Sequence, residues 1–309
     1  MINYGGREAL CVSGLGEYSL ADTLECGQAF RYELIAEDGD YCEYMTVVAD
    51  TLITVGQRKR GELLFFGTDS DTFERVIEPY FTLSTDYAAI ADDIRSRTDS
   101  QWLKNAADFA EGIAILKQDP WEALFSFIVS QNNNIPRIRK IIRKICSLYG
   151  ENLAIKHGLI ACPLGKCASP DPEICRGCGS CYSFPTPEQV LAAPEKLLEA
   201  NPGFRYRYLL SAAERVASGE TNLNMIAAAR SYTHTVEQLK GILGVGDKVA
   251  SCVALFGFAN LEAFPIDVWM KRAIDTYFDG KLDPATLGRY AGVAQQYIFH
   301  YIRNVESRE

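Results

Sequence analysis

The sequence predicts an α+β fold in which an N-terminal small antiparallel β-sheet subdomain is followed by a mostly α-helical core carrying a Cys-rich insertion. Three observations predict it. Between Tyr41 and Phe66 short β-prone runs alternate with turn residues, after Asp71 apolar residues recur at helical spacing, and residues 161–187 replace that rhythm with Pro, Gly and Cys. The expected division places the sheet and its following helices in residues 1–115 and the helical core in 116–309, with the insertion at 161–187.

The runs YCEYMTVV, LITVG and ELLFF are rich in β-branched and aromatic residues and read as strands. Asp71 is the expected N-cap of the first helical segment, and a long helical region continues through residue 150. Asn134 is the preferred N-cap of the next helix; beyond it Ile138, Ile141, Ile142, Ile145 and Leu148 form one apolar stripe, and Pro136 suits the first turn. Arg137, Lys140 and Lys144 fall near its opposite side.

Composition narrows the class. The 309 residues are 48% hydrophobic and 23% charged, which is ordinary for globular chains and excludes disorder and collagen-like repeats. No stretch approaches the roughly 18 apolar residues of a membrane helix, and the start MINYGGREALCVSG lacks a basic region followed by an apolar one. A cytoplasmic protein, of prokaryotic type, with no membrane partner is therefore expected. The net charge of -9 gives no sign of a nucleic-acid partner, yet PRIRKIIRK at 136–144 packs five basic residues into nine and sets a local field of opposite sign.

Of ten cysteines, Cys11, Cys26, Cys42, Cys146 and Cys252 are scattered, while Cys162, Cys167, Cys175, Cys178 and Cys181 crowd into one segment. Nothing signals secretion, so a metal is a better reading than disulfides. The spacing C-x4-C-x7-C-x2-C-x2-C supplies four thiolates for a structural zinc with one spare. The close triplet Cys175, Cys178 and Cys181 also suits a [4Fe-4S] cluster; zinc ranks first.

The chemistry concentrates in LKGILGVGDKVASCVALFGF. Gly244 and Gly246 permit a tight hairpin between two helices, where backbone N–H groups and the positive end of the second helix form a site for a DNA phosphate. Val249, Val253 and Phe256 make the buried stripe of that helix, leaving Lys248 and Cys252 together on an adjoining face. An amine at a helix start bordering the core is favoured in its neutral, nucleophilic form and can form a Schiff base. Asp267, in FPIDVWMKRAI, is an expected N-cap whose carboxylate can also stabilise positive charge developing on a sugar.

Hairpin, lysine, cysteine one turn later and Pro-Ile-Asp-Val nineteen residues beyond the lysine resemble the helix-hairpin-helix DNA glycosylase superfamily, and within it the 8-oxoguanine glycosylase/lyase branch. ECGQAFRY, ILKQDPWEALFSFIVSQNNNIPRI, GFRYRY and YAGVAQQYIF extend the resemblance over residues 20–300. It implies that Lys248 attacks the sugar C1′, expels the flipped base and cleaves the strand by β-elimination, assisted by Asp267. It implies that Gly27 offers its carbonyl to the N7 hydrogen of 8-oxoguanine, that Cys252 and Phe299 sandwich the base, and that Gln295 reads its Watson–Crick edge. Asn132, Arg137 and Arg205 match residues that fill the vacated space and recognise the orphaned cytosine. Two positions depart: Trp269, a DNA-backbone position, stands where eukaryotic members carry histidine, and Phe204 where they carry tyrosine.

The implied partner is double-stranded DNA containing oxidised guanine, bound by a monomer that needs no cofactor for catalysis. Two alternatives remain: a related enzyme acting on alkylated or other oxidised bases, and a noncatalytic DNA-binding scaffold organised by the metal knuckle. His157, His234 and His300 show no ligand spacing and receive no role.

Overall fold

The computed structural model describes residues 1–159, 162, 164 and 178–306. Six strands form one antiparallel sheet in the order β1 (Ile2–Tyr4), β2 (Arg7–Ser13), β6 (Glu62–Phe66), β5 (Thr51–Lys59), β4 (Tyr41–Val48) and β3 (Tyr32–Asp38). The strands β4, β5 and β6 are those the alternation marks. The other three lie outside the stretch it marks: β1 is only three residues long, and β3 alternates weakly because its outer half is acidic and exposed.

Gln57 links this sheet to the first helix. Its buried amide donates to the Tyr18 carbonyl at 2.8 Å and accepts from Leu20 N at 2.8 Å. That pair of bonds fixes the entry to helix α1 (Leu20–Glu25), which Ser19 caps by accepting from Asp22 N.

The helical region is more divided than the periodicity suggests. Helical turns over 70–81 begin one residue before Asp71, so the cap is Asp69, which accepts from Thr72 N; Asp71 sits in the first turn. A π-helical stretch at Phe73–Ile77 interrupts the segment, which ends at Thr82 with φ of 51°. Helices α2 (Tyr87–Ser96), α3 (Gln101–Phe109), α4 (Pro120–Ser130) and α5 (Ile135–Tyr149) come next. Asn134 caps α5 by accepting from Arg137 N at 3.0 Å, and Ile138, Ile141, Ile142 and Ile145 are all buried, as the spacing requires.

Beyond the insertion come α6 (Tyr206–Ala217), α7 (Tyr232–Lys240), α8 (Asp247–Phe258), α9 (Val268–Tyr277) and α10 (Ala291–Glu306). The apolar α8 packs against α4, with Phe127 stacked on Phe256 at 5.3 Å between ring centroids. Helix α10 packs against both α3 and α9, where Trp102 stacks on Tyr277 and meets the edge of Tyr301. Among the described residues no helix is long and apolar enough to cross a membrane.

Candidate active site

One cleft gathers residues from several separated parts of the chain. Gly27 lies just beyond α1, Phe127 belongs to α4, Lys248, Cys252 and Phe256 to α8, Pro265 and Asp267 to the start of α9, and Gln295, Gln296 and Phe299 to α10.

Helix α8 places the amine. Gly246 is its N-cap and has no side chain to satisfy the first N–H groups, which leaves them directed outward at the positive helix end. Lys248 is half-buried in the first turn, with Nζ 5.4 Å from the Phe127 ring centroid. It stands one turn before the buried Cys252 thiol, which lines the same cleft. Burial pushes that thiol up from its ordinary range, and the nearby Lys248 charge opposes the shift. Val249, Val253 and Phe256 are buried beneath. Asp267 caps α9 through Oδ1, which accepts from Met270 N at 2.9 Å, while its carboxylate also lines the cleft.

The two hairpin glycines do different things. Gly244 has φ of +81° and its α-carbon abuts the Tyr208 ring, so both conformation and space require glycine. Gly246, at φ of -95°, is in an ordinary conformation, and a Cβ there would meet nothing within 4 Å. Its lack of a side chain leaves the outer face of the hairpin open to a close approach.

Gly27 is held by a network that local sequence patterns do not reveal. Gln28 is fully buried; its amide donates to the carbonyls of Thr23 at 2.8 Å and Ala114 at 2.7 Å and accepts from Leu116 N at 2.9 Å. The Gln118 amide donates to the Gln28 carbonyl at 2.7 Å, and Gln118 N donates to the Phe256 carbonyl of α8 at 2.8 Å. The loop bearing Gly27 is thus tied to the helix bearing Lys248. A Cβ on Gly27 would lie 3.2 Å from Ile135 and 3.5 Å from Phe299, and its φ of +87° already disfavours other residues. The sequence holds no hint of this network: Gln118 stands between Lys117 and Asp119, as an ordinary polar loop residue would.

The asparagine turn between α4 and α5 forms one flank. Asn132 is exposed at φ of 46°, and Arg137 is exposed nearby. Arg205, by contrast, is buried. Its guanidinium donates to Gln131 O at 2.7 Å, to Asn132 O at 2.9 Å and to Pro202 O at 3.0 Å, so its fork braces the turn from behind. Burial first, and the neighbouring Arg137 charge second, hold Arg205 below the usual arginine range. Phe204 is 51% exposed beside Arg205, and Trp269 lies half-buried in the first turn of α9.

The described members of the cysteine cluster, Cys162, Cys178 and Cys181, do not line this cleft. Cys167 and Cys175 lie outside the described residues. Cys162 is half-buried, Cys178 donates to Ser180 Oγ at 3.4 Å, and Cys181 is buried with Sγ 3.8 Å from Met45 Sδ. Among the described residues no three potential ligands converge.

A glycine hairpin leading to a lysine at a helix start, faced by an aspartate cap across a cleft, defines a helix-hairpin-helix DNA glycosylase. Residues 13–124 match the family model of the 8-oxoguanine DNA glycosylase N-terminal domain. The structure of MBOgg1 with a low-affinity DNA ligand superposes with a TM-score of 0.80 at 32% identity, covering 97% of this chain and 99% of that one. The 8-oxoguanine glycosylase/lyase of Clostridium acetobutylicum, bound to duplex DNA with cytosine opposite 8-oxoguanine, gives 0.80 at 30% identity over 99% and 100% of the chains. The N-glycosylase/DNA lyase of Saccharomyces cerevisiae is 28% identical over 83% of this chain and 67% of its own length. A 3-methyladenine DNA-glycosylase from Archaeoglobus fulgidus shares the fold, with a TM-score of 0.63 at 16% identity. This chain belongs to the 8-oxoguanine glycosylase/lyase family.

Proposed function

We propose that this protein removes 8-oxoguanine from duplex DNA and cleaves the strand at the resulting site. The observation that carries the reading is the convergence of Lys248, Cys252 and Asp267 with Gly27, Gln295 and Phe299 on one cleft. The Lys248 amine attacks C1′ as the bond from C1′ to the base nitrogen breaks, and the base leaves with those electrons. The adjoining Asp267 carboxylate stabilises the positive charge that develops on the sugar. The Schiff base that Lys248 then forms with the opened sugar allows β-elimination of the 3′ phosphate.

The cleft has a volume of about 50 Å³, well below the roughly 150 Å³ of a cavity that takes up one benzene ring and so too little for a fused two-ring base. Its lining side chains therefore move apart when a flipped base enters. Cys252, Phe299, Gly27 and Gln295 line that space; in this reading the first two sandwich the base, Gly27 meets its edge and the Gln295 amide reads it. Asn132 and Arg137, both exposed, face the opposite strand, while Arg205 acts there through the turn it braces. Gly244 and Gly246 receive a phosphate at the start of α8, with Trp269 on the same DNA-facing rim.

Borohydride trapping on duplex DNA bearing 8-oxoguanine opposite cytosine tests the reading. The wild-type protein forms a covalent complex and Lys248→Gln forms none; trapping that persists in the variant refutes the nucleophile.

A structural zinc held by four of Cys162, Cys167, Cys175, Cys178 and Cys181 is part of the same proposal. Its support is the density of thiols in a segment poor in apolar residues. Elemental analysis and an optical spectrum of anaerobically purified protein separate zinc, a [4Fe-4S] cluster and no metal.

A further inference from the structure

Beside Gln295 on α10, and lining the same cleft, lies Gln296. Both residues are 4% exposed. Gln296 Nε2 donates to Gln295 Oε1 at 3.2 Å, while Gln296 Oε1 is buried with no hydrogen-bond partner among the described residues. A buried, unsatisfied acceptor costs about 1–3 kcal/mol, so an apolar side chain of the same length would serve the fold at least as well. Gln296 is thus a poor choice for packing alone.

We infer that Gln296 is a positioning residue that fixes which end of the Gln295 amide meets the base, and thereby selects a guanine-type edge. The inference rests on the proposed reading of this cleft as the base pocket. A side-chain amide carries a donor end and an acceptor end, and a rotation of half a turn exchanges them. The bond from Gln296 Nε2 holds the Gln295 oxygen on the Gln296 side. In that orientation Gln295 Nε2 is free to donate to the O6 acceptor of 8-oxoguanine, and the second lone pair of Oε1 accepts its N1 hydrogen.

An adenine-type edge asks for the reverse. Its N6 group donates and its N1 accepts, so Gln295 would have to turn over, which either brings its NH2 group against that of Gln296 or makes Gln296 turn as well and bury its own NH2 group without an acceptor. The bond between the two amides sets the upper limit of discrimination. A net hydrogen bond of about 0.5–1.5 kcal/mol corresponds to about a two- to tenfold preference. Lys248, Asp267 and the sandwiching residues act equally on both bases and contribute nothing to this ratio.

The test compares single-turnover excision of 8-oxoguanine and 8-oxoadenine from otherwise identical duplexes, with thermal unfolding measured alongside. Gln296→Met removes the amide at nearly constant length. It lowers the 8-oxoguanine to 8-oxoadenine ratio about two- to tenfold, with Tm unchanged or raised because the orphaned acceptor is gone. Gln296→Glu, assayed at pH 8.5, introduces an acceptor-only carboxylate. Gln295 turns its NH2 toward that carboxylate, and the ratio falls further than with methionine.

An unchanged ratio in both variants overturns the inference. So does a lowered Tm with equal losses on both bases, which is the signature of a packing role. A wild-type protein that excises neither base and traps on neither duplex refutes the functional reading itself, and with it this inference; intact wild-type excision with an unchanged ratio refutes this inference alone.

Discussion

The ring of Tyr208 lies against the α-carbon of Gly244, so closely that a Cβ there would come within 2.3 Å of Tyr208 Cγ and 2.4 Å of Cδ2. Helix α6 thereby supports the hairpin from beneath. Gly244→Ala must displace the ring or the turn and also hold alanine at φ of +81°. It is expected to cost at least about 1 kcal/mol of stability and to weaken DNA binding. Gly246→Ala, whose Cβ points into open space, should leave Tm unchanged and weaken only DNA binding. Equal Tm values for the two variants would contradict this assignment of roles.

Arg205 braces the carbonyls of Gln131, Asn132 and Pro202. Lysine cannot reproduce that planar fork, so Arg205→Lys is expected to lose about 1–3 kcal/mol and several degrees in Tm, together with activity. Asn132→Ala alters an exposed side chain on the same turn and should reduce activity at unchanged Tm. Thermal unfolding of the two variants checks the contrast; a stable Arg205→Lys protein would mean that the carbonyl contacts contribute little.

Burial pushes the thiols of Cys26 and Cys146 up to about 12. Unfolded thiols ionise at about 8.5, so above that pH the unfolded chain releases protons that the folded chain retains. Stability contributed by these groups is therefore complete below about pH 8.5 and declines as pH rises toward 12. The denaturant midpoint should fall between about pH 8 and 10, and Cys146→Ala should flatten that slope while lowering stability at neutral pH. An undiminished slope in the variant would assign the alkaline loss to other groups.

Arg137, Lys140 and Lys144 line a groove of about 730 Å³ along α5, whereas Arg143 and Arg139 pair with Glu33. Neither Lys140 nor Lys144 has an ion-pair partner among the described residues. If backbone phosphates of bound DNA lie along this face, replacing both with serine lowers the slope of log affinity against log salt by about 2. The loss should be the same for damaged and undamaged duplexes, because phosphate contacts read no sequence. Fluorescence titration over a range of salt measures it; an unchanged slope places the DNA elsewhere.

The sequence alone determined what short-range chemistry controls. Asn134 and Asp267 are N-caps, Lys248 begins a helix after a glycine turn, and the isoleucines of α5 face inward, because each depends on residues within one or two turns. Residues 41–66 likewise showed their strands through alternation. The tertiary structure decided the rest. Gly27 meets Phe299 from the other end of the chain, Gln28 and Gln118 tie the Gly27 loop to α8, and Arg205 turns its fork to the asparagine turn. These contacts join segments with no shared periodicity, and only packing of the helices against one another fixes which polar groups become buried and must find partners.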